Sequence, residues 1–214
     1  MSKILDIYKE YKIMPNLQLH QLRVAGVAEA ICESLPFIVD KKSVITACLL
    51  HDMGNIIKFK LDHFPDFNNP EGIEYWESVK NEYIEKYGNN EHHATVKIAR
   101  ELNVSDFVIE LIDSIDSSKI ELNKKGDSFE KKICVYSDNR VDPFKIVSIK
   151  ERNEEARERY KNHPKAFNEN SHVIFNSNIK EIENQIFSSS NLKPEDINDE
   201  SVKDYMDKLK NFEI

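Results

Sequence analysis

The segment SVITACLLHD, residues 43–52, is apolar around most of its circumference and ends in two ionisable side chains. A helix carrying Val44, Ile45, Ala47, Cys48, Leu49 and Leu50 has to be surrounded by protein, so His51 and Asp52 are delivered to the interior. An unpaired charge in that position costs several kcal/mol even after relaxation. The partners available to the pair are another polar residue or a metal ion. Any fold for this chain must therefore bury the segment and bring further polar groups or a metal ion to its end.

The rest of the chain reads as helix, with almost no strand signal. Ile4, Ile7, Tyr8 and Tyr11 recur at helical spacing, and Pro15 is expected to close that segment. A second helix is expected from about Asn16, with Val24, Val27, Ala28 and Ile31 inward, ending near Pro36. The third runs from Asp40, a suitable N-cap, to Asp52, with Gly54 as its expected C-terminal cap. The stretch IIKFKLDHFPDFN between Asn55 and Asn69 reads as irregular, a loop over the end of that helix.

A fourth helix is marked by Pro70 at its start and Gly88 after its end, with Trp76, Val79, Tyr83 and Tyr87 on one face. A fifth begins near Asn90 and carries Val96, Ala99 and Leu102; a sixth covers about Ser105 to Ile115; Ser117 to Ser128 reads as a polar linker. In FEKKICVYSDNRV, Cys134, Asp138 and Val141 fall on one helical stripe, an unusual place for a carboxylate. Pro143 then precedes the charged helix SIKERNEEARERYKN, and the polar tail holds helices at Asn178 to Phe187 and Ser201 to Leu209. The expected fold is all-α: a compact helical core over residues 1–165 with a polar helical extension over residues 166–214.

Composition bounds the function. With 214 residues, 40% of them apolar, the chain can bury one sizeable core. A net charge of −8 argues against general nucleic-acid or anionic-membrane binding, which needs a basic surface to displace counterions. No apolar run approaches the roughly 20 residues of a membrane span, and MSKILDIYKEYK lacks a signal-peptide core, so a cytoplasmic location is expected. Cys32, Cys48 and Cys134 are odd in number, widely spaced and set among apolar neighbours, which suits core thiols.

Three places put a metal-competent side chain on an apolar helix face: His20, the His51-Asp52 pair, and Asp138. Adjacent residues on a helix point about 100° apart, so His51 and Asp52 share an ion only if it sits over the helix end. Two imidazoles and two carboxylates suit Mn, Fe, Co, Ni, Zn or Mg without choosing among them.

This pattern resembles the HD-domain metal-dependent phosphohydrolases: a His on an early helix, a His-Asp doublet at a helix end, and a distant Asp on a later helix. Here His20, the doublet in LLHDMGN and Asp138 in VYSDNRVDP match it over roughly residues 16 to 142. The stretch SDNRVDPFKIVSIKERNEEARERY is also similar to the C-terminal part of uncharacterised bacterial members. The resemblance implies one divalent metal held by His20, His51, Asp52 and Asp138. It implies hydrolysis of a small phosphorylated substrate, with a nucleotide or nucleoside phosphate the natural guess. Asp52 would orient or deprotonate the attacking water, and Arg23, one turn after His20, would supply a cation.

The chain departs from the family pattern in two places. Asn55 stands where many members have Lys after HD-x-G, leaving Lys58 on the next turn as a substitute. Members with two metals supply extra His ligands; His92 and His93 are the candidates here, His92 being nearer the apolar face. A further late His is missing, and Asp113 and Asp116 stand in LIDSIDSS instead, which favours one metal over two. Arg140 is a further candidate for contact with substrate.

Each residue also has a plain structural reading. His20 alone suits a satisfied core or helix-end histidine, Asp52 a helix terminator, Asp138 a partner for Arg140, and Arg23 a surface ion pair. His63, His163 and His172 sit in polar contexts and are expected at the surface. Trp76, Tyr83 and Tyr87 read as core packing before a base-stacking rim. The ERNEEARERY run reads as a solvated face before a contact between copies, so a homo-oligomer is left open. Two other functions stay in view: a regulatory protein that binds metal or nucleotide without turnover, and a dinuclear iron oxygenase needing six ligands.

Overall fold

The structure is a computed structural model, and it describes residues 2–161 and 167–214. Among these residues there are eleven α-helices and no strand beyond two isolated bridges. No described helix is long and apolar enough to cross a membrane. His163 and the expected boundary between residues 165 and 166 lie outside the described residues.

Helix α1 (Ile4–Glu10) buries Ile4, Ile7 and Tyr8, and the Tyr8 hydroxyl donates to the carbonyl of Leu49 at 2.7 Å. Pro15 opens α2 (Pro15–Ser34) rather than closing α1. Its fixed φ suits a first helical position, where the missing N–H would have had no intrahelical partner. Helix α3 (Lys41–Leu50) starts at Asp40, whose carboxylate accepts from the Ser43 N–H at 3.0 Å, and every residue from Val44 to Leu50 is buried. It packs against α2 and against two later helices, α6 (Asp106–Ser114) and α8 (Phe129–Asp138), which explains the absence of a polar face.

Gly54 does not cap α3. Its φ of −92° is ordinary, and what it provides is space. A Cβ there would collide with the Glu91 carbonyl and lie 2.8 Å from Ala94 Cβ on α5 (Glu91–Glu101). Residues 55–69 hold two 3-10 turns, Asn55–Lys58 and Pro65–Asn68, in place of a wholly irregular loop. The second is fastened by Asn68, whose side chain donates to the Leu61 carbonyl at 2.7 Å.

Helix α4 (Ile73–Tyr87) buries Trp76, Val79, Tyr83 and Tyr87, the face expected from periodicity. It begins later than Pro70, after Gly72, and ends at Gly88, where φ of +91° requires glycine. The expected linker at 117–128 is partly helical: a 3-10 turn leads into α7 (Ile120–Lys125). Ile120 is buried, and Asn123 donates to the Ser114 carbonyl at 2.6 Å. Helix α8 stops at Asp138, so Val141 lies beyond it, in a turn bridged to Ile146.

Helix α9 (Ile149–Arg159) opens with a reciprocal capping box between Ser148 and Glu151 and buries only Ile149. Helix α10 (Glu169–Phe187) is longer than its periodicity suggested, because Val173 and Ile174 in its first half face solvent while Ile179, Ile182 and Ile186 are buried. Helix α11 (Lys203–Leu209) lies on α2. The chain end then returns to its start, with Ile4 N–H donating to the Phe212 carbonyl at 2.9 Å. Buried residues of α10 and α11 belong to the same apolar core as those of α1 to α8. The three cysteines are free and buried in that core.

Candidate metal centre

Three helices bring the site together. His20 projects from α2, His51 and Asp52 form the turn that ends α3, and Asp138 is the last residue of α8. Oδ1 of Asp138 lies 3.2 Å from His20 Nε2 and 3.3 Å from His51 Nε2. Oδ2 of Asp52 lies 3.7 Å from His20 Nε2 and 3.6 Å from His51 Nε2. The two imidazoles have centroids 5.4 Å apart with planes inclined at 50°.

The donor set fits a divalent ion. Ligand atoms held about 2.1 Å from one centre lie about 3.0–3.5 Å from each other, close to the spacings seen here. One donor atom each from His20, His51 and Asp52 falls within 4.8 Å of the others, and Asp138 touches both imidazoles. The His51 ring is fixed from behind: its Nδ1–H donates to the Cys48 carbonyl at 2.8 Å, which turns Nε2 toward the carboxylates. The carboxylates call for positive charge. Burial alone would lower the His51 pKa, but Asp52 and Asp138 outweigh it and push it up to about 10. Burial alone would raise the Asp138 carboxyl, but hydrogen bonds from His20 and His51 hold it well below the usual carboxylate range.

Two polar residues that sequence reasoning did not single out hold the doublet in place. Gln21, fully buried beside His20, accepts the Asp52 N–H through Oε1 at 3.2 Å. Thr95 Oγ1 accepts the Gly54 N–H at 2.9 Å and donates to the Glu91 carbonyl at 3.0 Å. Gln21 carried a readable signal: it is a polar residue at i+4 from Leu17 and i−3 from Val24, inside the apolar stripe of α2.

The remaining candidates are placed differently. Arg23 is half-buried, and its Nε donates to Asp199 at 2.8 Å. Lys58 is exposed at the end of its 3-10 turn, and Asn55 is buried. His92 is half-buried and donates through Nε2 to Asp113 at 2.9 Å, while His93 is exposed. Lys119 binds the other oxygen of Asp113. Burial would raise the Asp113 carboxyl, but Lys119 and His92 hold it below its usual value. Asp116 accepts from the Ser118 N–H at 2.7 Å. His92 is thus committed to a local hydrogen bond with Asp113 and is not in the group that meets at Asp52. Arg140 is buried and donates to the Val147 carbonyl, the Tyr136 hydroxyl and the Ile197 carbonyl. Those three acceptors are structural, and they occupy the group that was a candidate for substrate contact. His63 is exposed, and His172 is half-buried beside Phe167.

The family model for the HD domain matches residues 18–139, more than half of the chain, beginning just before His20 and ending just after Asp138. No curated protein and no solved structure gives a match. HD domains are in general metal-dependent phosphohydrolases, and the cluster of His20, His51 and Asp52 fits the metal site of that group. The chain belongs to the HD-domain family.

Proposed function

We propose that this protein hydrolyses a phosphate ester or anhydride of a small molecule, with a nucleotide or nucleoside phosphate as the first candidate substrate. The observation that carries the reading is the convergence of two imidazoles and two carboxylates, from three helices, at spacings of 3.2–3.7 Å. His20, His51, Asp52 and Asp138 would hold one divalent ion. When bound, such an ion supplies Lewis acidity toward a phosphoryl oxygen and lowers the pKa of water toward neutrality.

The chain's own residues do the rest. Cys48 holds His51 in the tautomer that leaves Nε2 free to ligate. Asp52, fixed at its backbone by Gln21, orients the attacking water and accepts its proton. Arg23, one helical turn from His20, meets charge that develops on the phosphoryl oxygens. Both carboxylates keep about a fifth of their side-chain surface accessible, so water and a small substrate can reach them.

The test is phosphate release from nucleoside mono-, di- and triphosphates, cyclic dinucleotides and sugar phosphates. The protein is stripped and reloaded with Mn, Fe, Co, Ni, Zn or Mg and compared with Asp52→Ala. Metal-dependent turnover that vanishes in the variant supports hydrolysis and names the substrate class. Metal-loaded protein that is silent across the panel overturns it in favour of a regulatory role. The buried Asn55, where many family members have a cation, is the feature that favours that second reading. An oxygen-dependent optical change with iron would instead point to a dinuclear oxygenase, for which His92, bound to Asp113, is a poor additional ligand.

A further inference from the structure

Asp199 lies well beyond the end of the family match at residue 139, yet it reaches the helix that carries His20. Its Oδ1 accepts from Arg23 Nε at 2.8 Å, and its Oδ2 accepts from the Ile146 N–H at 3.0 Å. Ile146 belongs to the turn that directly follows Asp138. The same C-terminal stretch is fastened a second time, because buried Arg140 donates through Nη2 to the Ile197 carbonyl at 3.0 Å. One carboxylate therefore ties α2, the turn after α8 and the C-terminal segment together, through a residue three positions after His20 and another eight positions after Asp138.

The way Arg23 is held decides what it can do. Asp199 engages Nε alone, and among the described residues neither terminal nitrogen of Arg23 has a protein partner. A guanidinium steadied at Nε keeps a fork of terminal N–H donors with the geometry that matches a phosphate. Its side chain retains 14% of its accessible surface, enough for an anion to reach while the stem stays packed. An ordinary surface ion pair would contribute little and would leave both partners free to reorient. Here the carboxylate is itself fixed by a backbone N–H.

We propose that Asp199 is a positioning residue that orients the Arg23 guanidinium toward an anionic phosphoryl group at the metal centre. The C-terminal segment is on this account part of the substrate site. The proposal rests on the phosphoryl-binding part of the function proposed above and needs no turnover.

The test is a double-mutant cycle with inorganic phosphate as the probe, titrated by calorimetry into the metal-loaded protein. Asp199→Ala and Arg23→Met should each weaken phosphate binding about tenfold. Asp199→Ala in the Arg23→Met background should produce no further loss, Asp199→Glu should recover part of the affinity, and metal affinity should stay within about twofold throughout. A residue that only stabilised the fold would give additive losses in both backgrounds, and that result overturns the proposal. So does tighter phosphate binding in Asp199→Ala, which would mean that Asp199 masks Arg23, and so does a wild-type protein that holds metal but binds no phosphate. A coupled cycle in a protein that hydrolyses nothing supports the role of Asp199 and removes only the hydrolase reading.

Discussion

His20 and Asp138, 118 residues apart in sequence, meet at 3.2 Å between Nε2 and Oδ1. The same carboxylate oxygen reaches His51, so Asp138 is the point at which α2, α3 and α8 close on the site. Removing it should cost metal affinity more than it costs the fold, because the helices remain joined through their apolar faces. Asp138→Ala is expected to weaken metal binding by about 100-fold or more. At a metal concentration near 100 times the wild-type Kd, binding stabilises the native protein by about 2.7 kcal/mol, and the variant should lose most of that increment. Thermal melting of both proteins with and without metal checks this; an unchanged increment would remove Asp138 from the ligand set.

The raised pKa of His51 predicts a pH dependence for the metal-free protein. A group whose pKa rises on folding adds stability that is complete below its unfolded value near 6.5 and is lost as pH climbs through about 10. Melting in chelator should therefore fall across that window, by on the order of 5 °C for a chain of this size. With metal bound the imidazole is already neutral, so the fall should be absent, and binding at pH 7 should release a proton. Calorimetry in two buffers of different ionisation enthalpy measures that proton directly; a proton count of zero contradicts the prediction.

Much of this arrangement is legible in the chain because it is written in local patterns. The α4 face of Trp76, Val79, Tyr83 and Tyr87 follows from a 3.6-residue period, and Asp40, Asn90 and Ser105 announce helix starts by their chemistry. His20, the doublet and Asp138 stand out as polar groups on apolar stripes, and the structure brings those four together. What sequence reasoning missed depends on tertiary contact. Gly54 looks like a helix cap until α5 is seen against it, and Arg140 looks like a candidate for substrate contact until the Ile197 carbonyl, 57 residues away, joins two nearer acceptors around it. Pro15 is expected to close α1 and instead opens α2, since a proline that cannot continue one helix can begin the next. The first half of α10 carries exposed Val173 and Ile174, so its period gave no amphipathic signal.

Gly54→Ala should damage the site through the backbone. The added methyl would overlap the Glu91 carbonyl and approach the Thr95 backbone nitrogen to 2.9 Å, and none of these atoms is the end of a flexible side chain. Separating the doublet turn from α5 also breaks the Gly54 N–H bond to Thr95. We expect a loss of about 1–3 kcal/mol in urea denaturation, with weaker metal binding because Asp52 lies two residues away. Thr95→Val would replace only the hydroxyl with a methyl, leaving the Gly54 N–H without its acceptor, and should lose about 1 kcal/mol, with a smaller effect on metal. Equal and small effects from both variants would mean that the turn is not held by α5.

Arg140 separates a structural cation from a substrate cation. Its Nε donates to the Val147 carbonyl at 2.5 Å and its Nη1 to the Tyr136 hydroxyl at 2.7 Å, and that hydroxyl donates in turn to buried Glu183 at 2.8 Å. With the bond to Ile197, this network joins the turn after Asp138 to α10 and to the C-terminal segment. Lysine cannot reproduce three bonds in three directions from one planar group, and it would leave buried carbonyls without donors. Arg140→Lys should therefore lower stability by about 2–4 kcal/mol, read as a shifted urea midpoint with an unchanged slope. A substrate contact would behave oppositely, leaving the midpoint in place and raising KM. If Arg140→Lys unfolds at the wild-type midpoint, the network is not what holds the C-terminal segment against α8.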